Sequence, residues 1–370
     1  MKTKSINLAL QGGGSHGAYT WGVLDRLLED ERLTIEGVSG TSAGAMNAAV
    51  MVNGFARGGR DGARDALAGF WRAISEVGIF SPFYKSPVER MLTGWNLDSS
   101  PAYHYFDVLS RMLSPYDLNP LNLNPLRYVL DEFLDLNTLQ ACSMIKIFIT
   151  ATHVASGQAR VFKCHEITTE VLLASACIPF LFQAVEVDGE YYWDGGYMGN
   201  PALWPLIYNC RSEDIALVQV NPIYRAQLPK TATEIINRLN EITFNSSLIA
   251  EMRAIDFVKR LIDEGRLDRE RYKDIRMHLL YSPDELKDLN ASSKMNAGWD
   301  FFQHLFQLGR AMADTWLAAH FDDIGVRTTV DIRKNFLTGP GKMPAFSELG
   351  REKAKRKQAD QRNQHATPDQ

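Results

Sequence analysis

The sequence predicts an α/β fold with parallel strand pairing, on two observations. Short apolar runs of buried-strand type alternate with helical periods from the N-terminus onward. Glycine turns join each of the first two runs to the helix that follows, and strand–turn–helix repeated in this order requires crossover connections.

The first strand is Ile6–Leu10. A helix follows over Ala18–Asp30, where Trp21, Leu24, Leu27 and Leu28 share one face and Asp25, Arg26, Glu29 and Asp30 lie off it. Leu33–Ser39 is a second strand. Ser42–Val52 is an alanine-rich helix, which Asn53-Gly54 should stop. Between residues 56 and 130 the texture changes. Gly58-Gly59 and Gly62 loosen the chain, and Pro82, Pro87, Pro101, Pro115, Pro120 and Pro125 punctuate it. This segment is expected to be a helical, Pro-rich insertion or cover. Its aromatic residues Phe80, Phe83, Tyr84, Trp95, Tyr103, Tyr105 and Phe106 would cap a site or touch lipid, or else serve ordinary helical packing. Met144–Ala155 and Ile215–Val220 read as further strands, and Glu170–Cys177 as a short helix. Asp188-Gly189-Glu190 should turn a hairpin between 185–187 and 191–193. Residues 231–325 read as mostly helical with a break at Tyr281–Asp284. The aromatic stretch Trp299–Phe321 is expected to pack in the core. The expected organisation is a catalytic domain over 5–225, a helical extension over 226–335 and a disordered tail over 336–370. Residues 351–370 hold six Lys/Arg, three Asp/Glu and no large apolar residue, so they cannot bury a core.

Composition narrows the function classes. Of 370 residues 45% are hydrophobic and 23% charged, which excludes a wholly disordered chain. A net charge of −4 argues against a dedicated nucleic-acid binder. Cys142, Cys164, Cys177 and Cys210 form no CxxC, so they read as reduced thiols, three of them buried, with no metal site and no cofactor expected. No apolar run is long enough to span a bilayer and no signal-peptide core is evident, so a cytoplasmic location is expected.

Three motifs carry chemistry. Gly12-Gly13-Gly14-Ser15-His16-Gly17 joins a strand to a helix. Such a loop turns backbone N–H groups toward a phosphate, a dinucleotide or an oxyanion, and the helix adds partial positive charge. A P-loop is excluded because no Lys follows Gly17. A dinucleotide site would need an acid near Glu36, but the chain runs there straight into a second glycine turn. That turn, Gly40-Thr41-Ser42-Ala43-Gly44, is a GxSxG between strand and helix. In this context a sharp turn lifts the serine hydroxyl clear, the Ala43 N–H points toward it, and Gly40 and Gly44 permit tight packing beneath. The third motif, Asp194-Gly195-Gly196, follows the hairpin and offers a base for the serine.

Together, in this order, these motifs resemble those of the patatin-like phospholipase family, and Ala174-Ser175-Ala176-Cys177-Ile178-Pro179 resembles its small-residue stretch before the aspartate. The resemblance spans roughly 6–210. It implies a three-layer αβα sandwich with a modified α/β-hydrolase-like core. It also implies a Ser42–Asp194 dyad, and an oxyanion hole of Gly12, Gly13 and Gly14 assisted by Ala43, with Gly17, Gly40, Gly44, Gly195 and Gly196 as motif support. The implied activity is hydrolysis of a lipid or ester substrate, with peripheral contact at a lipid surface. Acyl transfer, thioester or polyester cleavage, and a silent lipid-binding role remain open alternatives. The sequence departs from the family at His16, where many members carry Arg or Lys. A protonated His16 would reinforce the oxyanion hole, and activity would then rise as pH falls toward ~6.5; the alternative is a His16 that merely packs or hydrogen-bonds at the helix start. A His-dependent triad would draw on His278, His304, His320 or His365, with His278 the strongest candidate.

Overall fold

The computed structural model describes residues 3–78, 89, 93–98, 100–225 and 227–338. Phe80, Phe83 and Tyr84 of the expected cover, and residues 339–370 of the expected tail, lie outside the described residues. The described residues up to 330 belong to one compact unit; residues 331–338 belong to a second, in which Arg333–Leu337 make a wide helical turn.

Strand β1 (Lys4–Leu10) leads through the glycine loop into α1 (Gly17–Glu29), and β2 (Leu33–Gly40) leads through the serine turn into α2 (Ala43–Gly78). Asn53-Gly54 does not stop α2. The chain reverses instead at Gly58-Gly59, where Gly59 takes φ +64°. A Cβ on Gly54 would lie 2.7 Å from the Ala66 Cβ, so Gly54 is a contact point between the two arms. Asn53 is buried, and its amide donates to the Asp135 carbonyl at 2.8 Å. The second arm buries Leu67, Phe70 and Trp71 in the main core, so this part of the expected insertion is core rather than cover.

Prolines open the helices that follow: α3 (Pro101–Met112), α4 (Pro115–Leu118) and α5 (Pro125–Phe133), with Ser100, Ser114 and Asn124 as N-caps. After α6 (Leu136–Ala141) come β3 (Lys146–His153), β4 (Ala159–Lys163), α7 (Thr169–Ser175), β5 (Val185–Val187) and β6 (Glu190–Asp194). The β5–β6 turn has Asp188 at φ 51° and Gly189 at φ 83°, both left-handed, as a tight hairpin requires. Next are α8 (Trp204–Asn209), β7 (Asp214–Val218), α9 (Ala232–Asp263), β8 (Arg276–Leu280), α10 (Pro283–Leu286) and α11 (Trp299–His320). The helical reading of 231–325 is thus interrupted by one strand, in which Met277, His278 and Leu280 are buried.

The fold is a mixed eight-stranded sheet with flanking helices. Strands β3, β2, β1, β7 and β8 run parallel in that order, while β4, β5 and β6 are antiparallel additions. The register on β3 matters most for the site. Ile149 pairs with both Gly40 of β2 and Phe162 of β4, and Ala151 pairs with both Arg160 of β4 and Asp194 of β6. Since β4 occupies one edge over Phe148–Thr152, β2 and β6 share the other. β6 therefore takes up the edge of β3 where β2 ends, two residues further along.

Helix α11 is a core helix, with Phe301, Phe302, Leu305 and Trp316 buried. It crosses α1 closely at two glycines: a Cβ on Gly22 would strike the Phe306 carbonyl, and one on Gly309 the Tyr19 carbonyl. Among the described residues no helix is long and apolar enough to cross a membrane. Cys177 and Cys210 are buried, whereas Cys142 and Cys164 are partly exposed, one fewer buried thiol than expected; all four are free. We predict that Gly309→Val separates α1 from α11 and costs about 1–3 kcal/mol of stability. Denaturant unfolding reads this directly, and an unchanged midpoint would contradict the close crossing.

Candidate active site

The site is built at the carboxyl end of β2. Ser42 is held at φ 54°, a left-handed backbone that costs a non-glycine residue of order 1–3 kcal/mol and marks a sharp turn. Two contacts hold that turn. The Ser42 N–H donates to Ser175 Oγ at 2.9 Å, and Ser175 Oγ donates in turn to the Thr150 carbonyl at 2.7 Å. Thr41 Oγ1 donates to the Gly199 carbonyl at 2.6 Å. Gly40 and Gly44 are tight as expected, since a Cβ on Gly40 would strike the Gly44 carbonyl and one on Gly44 the Leu10 carbonyl.

Asp194 lies at the end of β6, beyond the end of β2. Its N–H donates to the Cys177 carbonyl at 2.7 Å, and its own carbonyl accepts from Thr152 Oγ1 at 2.8 Å. The carboxyl is 1% exposed. Its Oδ1 accepts from the Gly196 N–H at 2.7 Å, while Oδ2 is buried with no partner among the described residues. Gly195 and Gly196 are packed too tightly for side chains, against the Thr150 carbonyl and the Phe244 ring. Burial pushes the Asp194 carboxyl up from 3.8 to about 7; the Gly196 N–H, the Ser42 hydroxyl and the Lys294 charge pull the other way without cancelling it. Ser42 is near enough to favour the carboxylate, yet the two side chains are not in hydrogen-bonding geometry, which leaves Oδ2 free.

The glycine loop is pressed against the serine turn: a Cβ on Gly12 would lie 2.7 Å from the Ser42 Cβ. Gly14 adopts φ 56° beneath the Lys294 carbonyl, and Gly17 abuts Ala43 and Trp71. The N–H groups of Gly13, Gly14 and Ala43 have no acceptor among the described residues. Gly12 differs from expectation. Its N–H is committed to Asn200 Oδ1 at 2.7 Å, which removes it from the set of free donors.

His16 takes the packed, hydrogen-bonded alternative rather than the cationic one. It is 3% exposed, its Nε2 is within 2.8 Å of Ser293 Oγ, and its ring packs edge-on against Phe301. Burial drives its pKa well below the usual imidazole value, and the charges of Lys294 and Arg225 push it the same way. His16 is therefore neutral, and a gain in activity through its protonation near pH 6.5 does not follow. The basic group near the site is Lys294, whose pKa burial lowers and whose Nζ donates to Asn221 Oδ1 at 2.6 Å.

His278, His304 and His320 are engaged away from Ser42. Both ring nitrogens of His278 are taken, by Asp214 at 2.9 Å and Thr329 at 3.0 Å. His304 stacks on Trp95, and His320 pairs with Asp323. His365 lies outside the described residues. Two surface cavities, of about 270 and 460 Å³, are lined by neither Ser42 nor Asp194.

Sequence reasoning missed Asn200, Asn221 and Lys294. Asn221 carries a faint signal, a polar residue three positions past the last residue of a buried strand. Lys294 carries none. Among the described residues no cluster of His, Cys, Asp and Glu could hold a metal ion.

A family model described as patatin-like phospholipase matches residues 8–207. Among solved structures the chain is similar to VipD from Legionella pneumophila, at 15% identity and TM-score 0.34, covering 84% of this chain and 67% of that one. It is also similar to the type III effector protein ExoU, at 17% identity and TM-score 0.31, covering 85% of this chain and 53% of that one. A structure of full-length ExoU from Pseudomonas aeruginosa in complex with SpcU gives 15% identity, TM-score 0.29, and coverage of 85% and 53%. The chain spans about half the length of ExoU, and likenesses at these TM-scores carry no argument. No curated protein matches the chain.

The orphaned carboxyl gives a stability prediction. A folded-state pKa raised from 3.8 to about 7 means that the contribution is fully present below 3.8 and is lost as pH rises through about 7. Asp194→Asn keeps the acceptor for Gly196 but has no charge to bury. It should stabilise the protein by about 2–4 kcal/mol above pH 7, a gain that shrinks toward pH 4. Thermal melts of both proteins across this range test it, and an equal difference at pH 4 and pH 8 would contradict the raised pKa.

Proposed function

Because the chain belongs to the patatin-like phospholipase family, we propose that it is a lipid acyl hydrolase of phospholipase A or lysophospholipase type, working through Ser42 and Asp194. The observation that carries this reading is the shared edge of β3. It brings a left-handed serine turn and a buried carboxylate with one free oxygen to the same end of the sheet.

In this reading Ser42 Oγ attacks the ester carbonyl carbon as Asp194 Oδ2 takes its proton. A carboxyl with a pKa near 7 is a far better acceptor at neutral pH than an ordinary aspartate. The developing oxyanion is met by the N–H groups of Gly13, Gly14 and Ala43, with Gly12 holding the loop rather than donating. Loss of one such donor typically costs about 2.7–4 kcal/mol of transition-state stabilisation. The tetrahedral intermediate collapses to an acyl–Ser42 ester, and the leaving alcohol takes the proton back from Asp194. Water, deprotonated by Asp194, then attacks the acyl carbon; as the acyl–Oγ bond breaks, Asp194 returns that proton to Ser42 Oγ, releasing the fatty acid and free Ser42.

Peripheral contact with a lipid surface is supported by α3, where Tyr105, Val108 and Met112 are exposed at i, i+3 and i+7 on one face. Such a protein would work from the cytoplasmic side of a membrane.

The test is labelling with a fluorophosphonate together with fatty-acid release from phosphatidylcholine and lysophosphatidylcholine vesicles. Wild type should label and turn over. Ser42→Ala should lose both, and Asp194→Ala should lose turnover by about three orders of magnitude or more. The rate should rise with pH through about 7 as Asp194 ionises. A folded wild type that neither labels nor releases fatty acid would shift the reading to a silent lipid-binding protein.

A further inference from the structure

A buried hydrogen-bond chain runs from a cation outside the family-matched segment to the peptide between Gly12 and Gly13. Lys294 Nζ donates to Asn221 Oδ1 at 2.6 Å, and Asn221 Nδ2 donates to the Gly12 carbonyl at 2.6 Å. An ammonium only donates, so it fixes which end of the Asn221 amide faces it and thereby aims Nδ2 at Gly12. Asn221 is held on its other sides too. Gln11 Oε1 accepts from its backbone N–H at 2.9 Å and from Nδ2 at 3.3 Å, and its carbonyl accepts from Gln219 Nε2 at 2.8 Å.

The Gly12 carbonyl and the Gly13 N–H belong to one planar trans peptide and point in opposite directions. Whatever holds the carbonyl therefore aims the N–H. A charge at the far end of such a chain also polarises each bond along it. The Lys294 backbone reinforces this, because its carbonyl lies 2.5 Å from where a Cβ on Gly14 would sit.

We propose that Lys294 is a positioning residue of this site, which through Asn221 fixes and polarises the Gly12–Gly13 peptide so that the Gly13 N–H donates to the oxyanion. The kinetic half of this proposal rests on the acyl-hydrolase reading above; the structural half does not. The charged and titratable groups facing Lys294 are Glu241 from α9, Arg225 from the loop before it, Asp194 from the end of β6 and His16 from the glycine loop. His16 is neutral, so the loop has no charge of its own to do this.

The variants are Lys294→Met, Asn221→Leu, the pair together, and Lys294→Arg, each checked by thermal melt. Each single apolar variant should lower kcat about tenfold with KM within about twofold, as for an interaction made only in the transition state. The double variant should be no worse than the worse single one, because both cut the same chain. Lys294→Arg should recover most of the rate. The Gly13 amide proton resonance, assigned by selective glycine labelling, should move upfield in Lys294→Met and stay in place in Lys294→Arg. Losses that multiply in the double variant, or a Gly13 resonance that does not move, would overturn the proposal. Should Lys294→Met fail to fold, Lys294→Gln serves in its place with the same expected upfield shift. If wild type shows no turnover, the acyl-hydrolase reading fails, and the Gly13 resonance alone decides on Lys294.

Discussion

The site depends on one edge of one strand. β3 is paired over Phe148–Thr152 on one side by β4, and its other side is divided between β2 and β6. Because β2 stops at Gly40, opposite Ile149, the next positions of that edge are open to β6, and Asp194 arrives opposite Ala151. Nothing about Ser42 and Asp194, which are 152 positions apart in the chain, would bring them together without this handover. The smaller features follow from it. Thr41 reaches the Gly199 carbonyl, Ser175 bridges the Ser42 N–H to Thr150, and Gly195 must lack a side chain because Thr150 lies directly against it.

Electrostatics at the site are set by burial first and by charges second. Asp194 and His16 are both enclosed, and enclosure favours the neutral form of each, raising one pKa and lowering the other. Lys294 acts on both in a consistent direction, helping Asp194 ionise and keeping His16 neutral. Burial lowers the pKa of Lys294 itself, Arg225 pushes it the same way, and the carboxylates of Glu241 and Asp194 offset this only in part. A histidine in the glycine loop is thus not a weaker cation. It is a neutral polar side chain bonded to Ser293, with the positive charge supplied from elsewhere in the chain.

Much of this was legible in the sequence, for identifiable reasons. Strands β1 and β2, helix α1 and the β5–β6 hairpin are each specified by local patterns of apolar period and turn residues. The serine turn and the Asp-Gly-Gly segment were visible because close packing forces glycine at fixed spacing. The bend of α2 was misread because Asn53-Gly54 resembles a helix stop, whereas here Asn53 bonds to Asp135 and Gly54 accommodates a neighbouring arm. The commitment of the Gly12 N–H to Asn200 could not be read, since it joins residues 188 positions apart. The same holds for Lys294 and Asn221, 73 positions apart. Local patterns announce local geometry, and a hydrogen bond between distant segments leaves no periodic trace in either.

The family-matched segment ends at residue 207, but the support of its glycine loop does not. Asn221 holds the Gly12 carbonyl, Ser293 holds His16, the Lys294 backbone covers Gly14, Ser282 meets the Tyr19 hydroxyl, and α11 seats itself on α1 through Gly22 and Gly309. Segment and extension are therefore one mechanical unit: a change of volume or polarity at 221, 282, 294 or 309 is felt by the loop at 12–17 or by the helix that follows it.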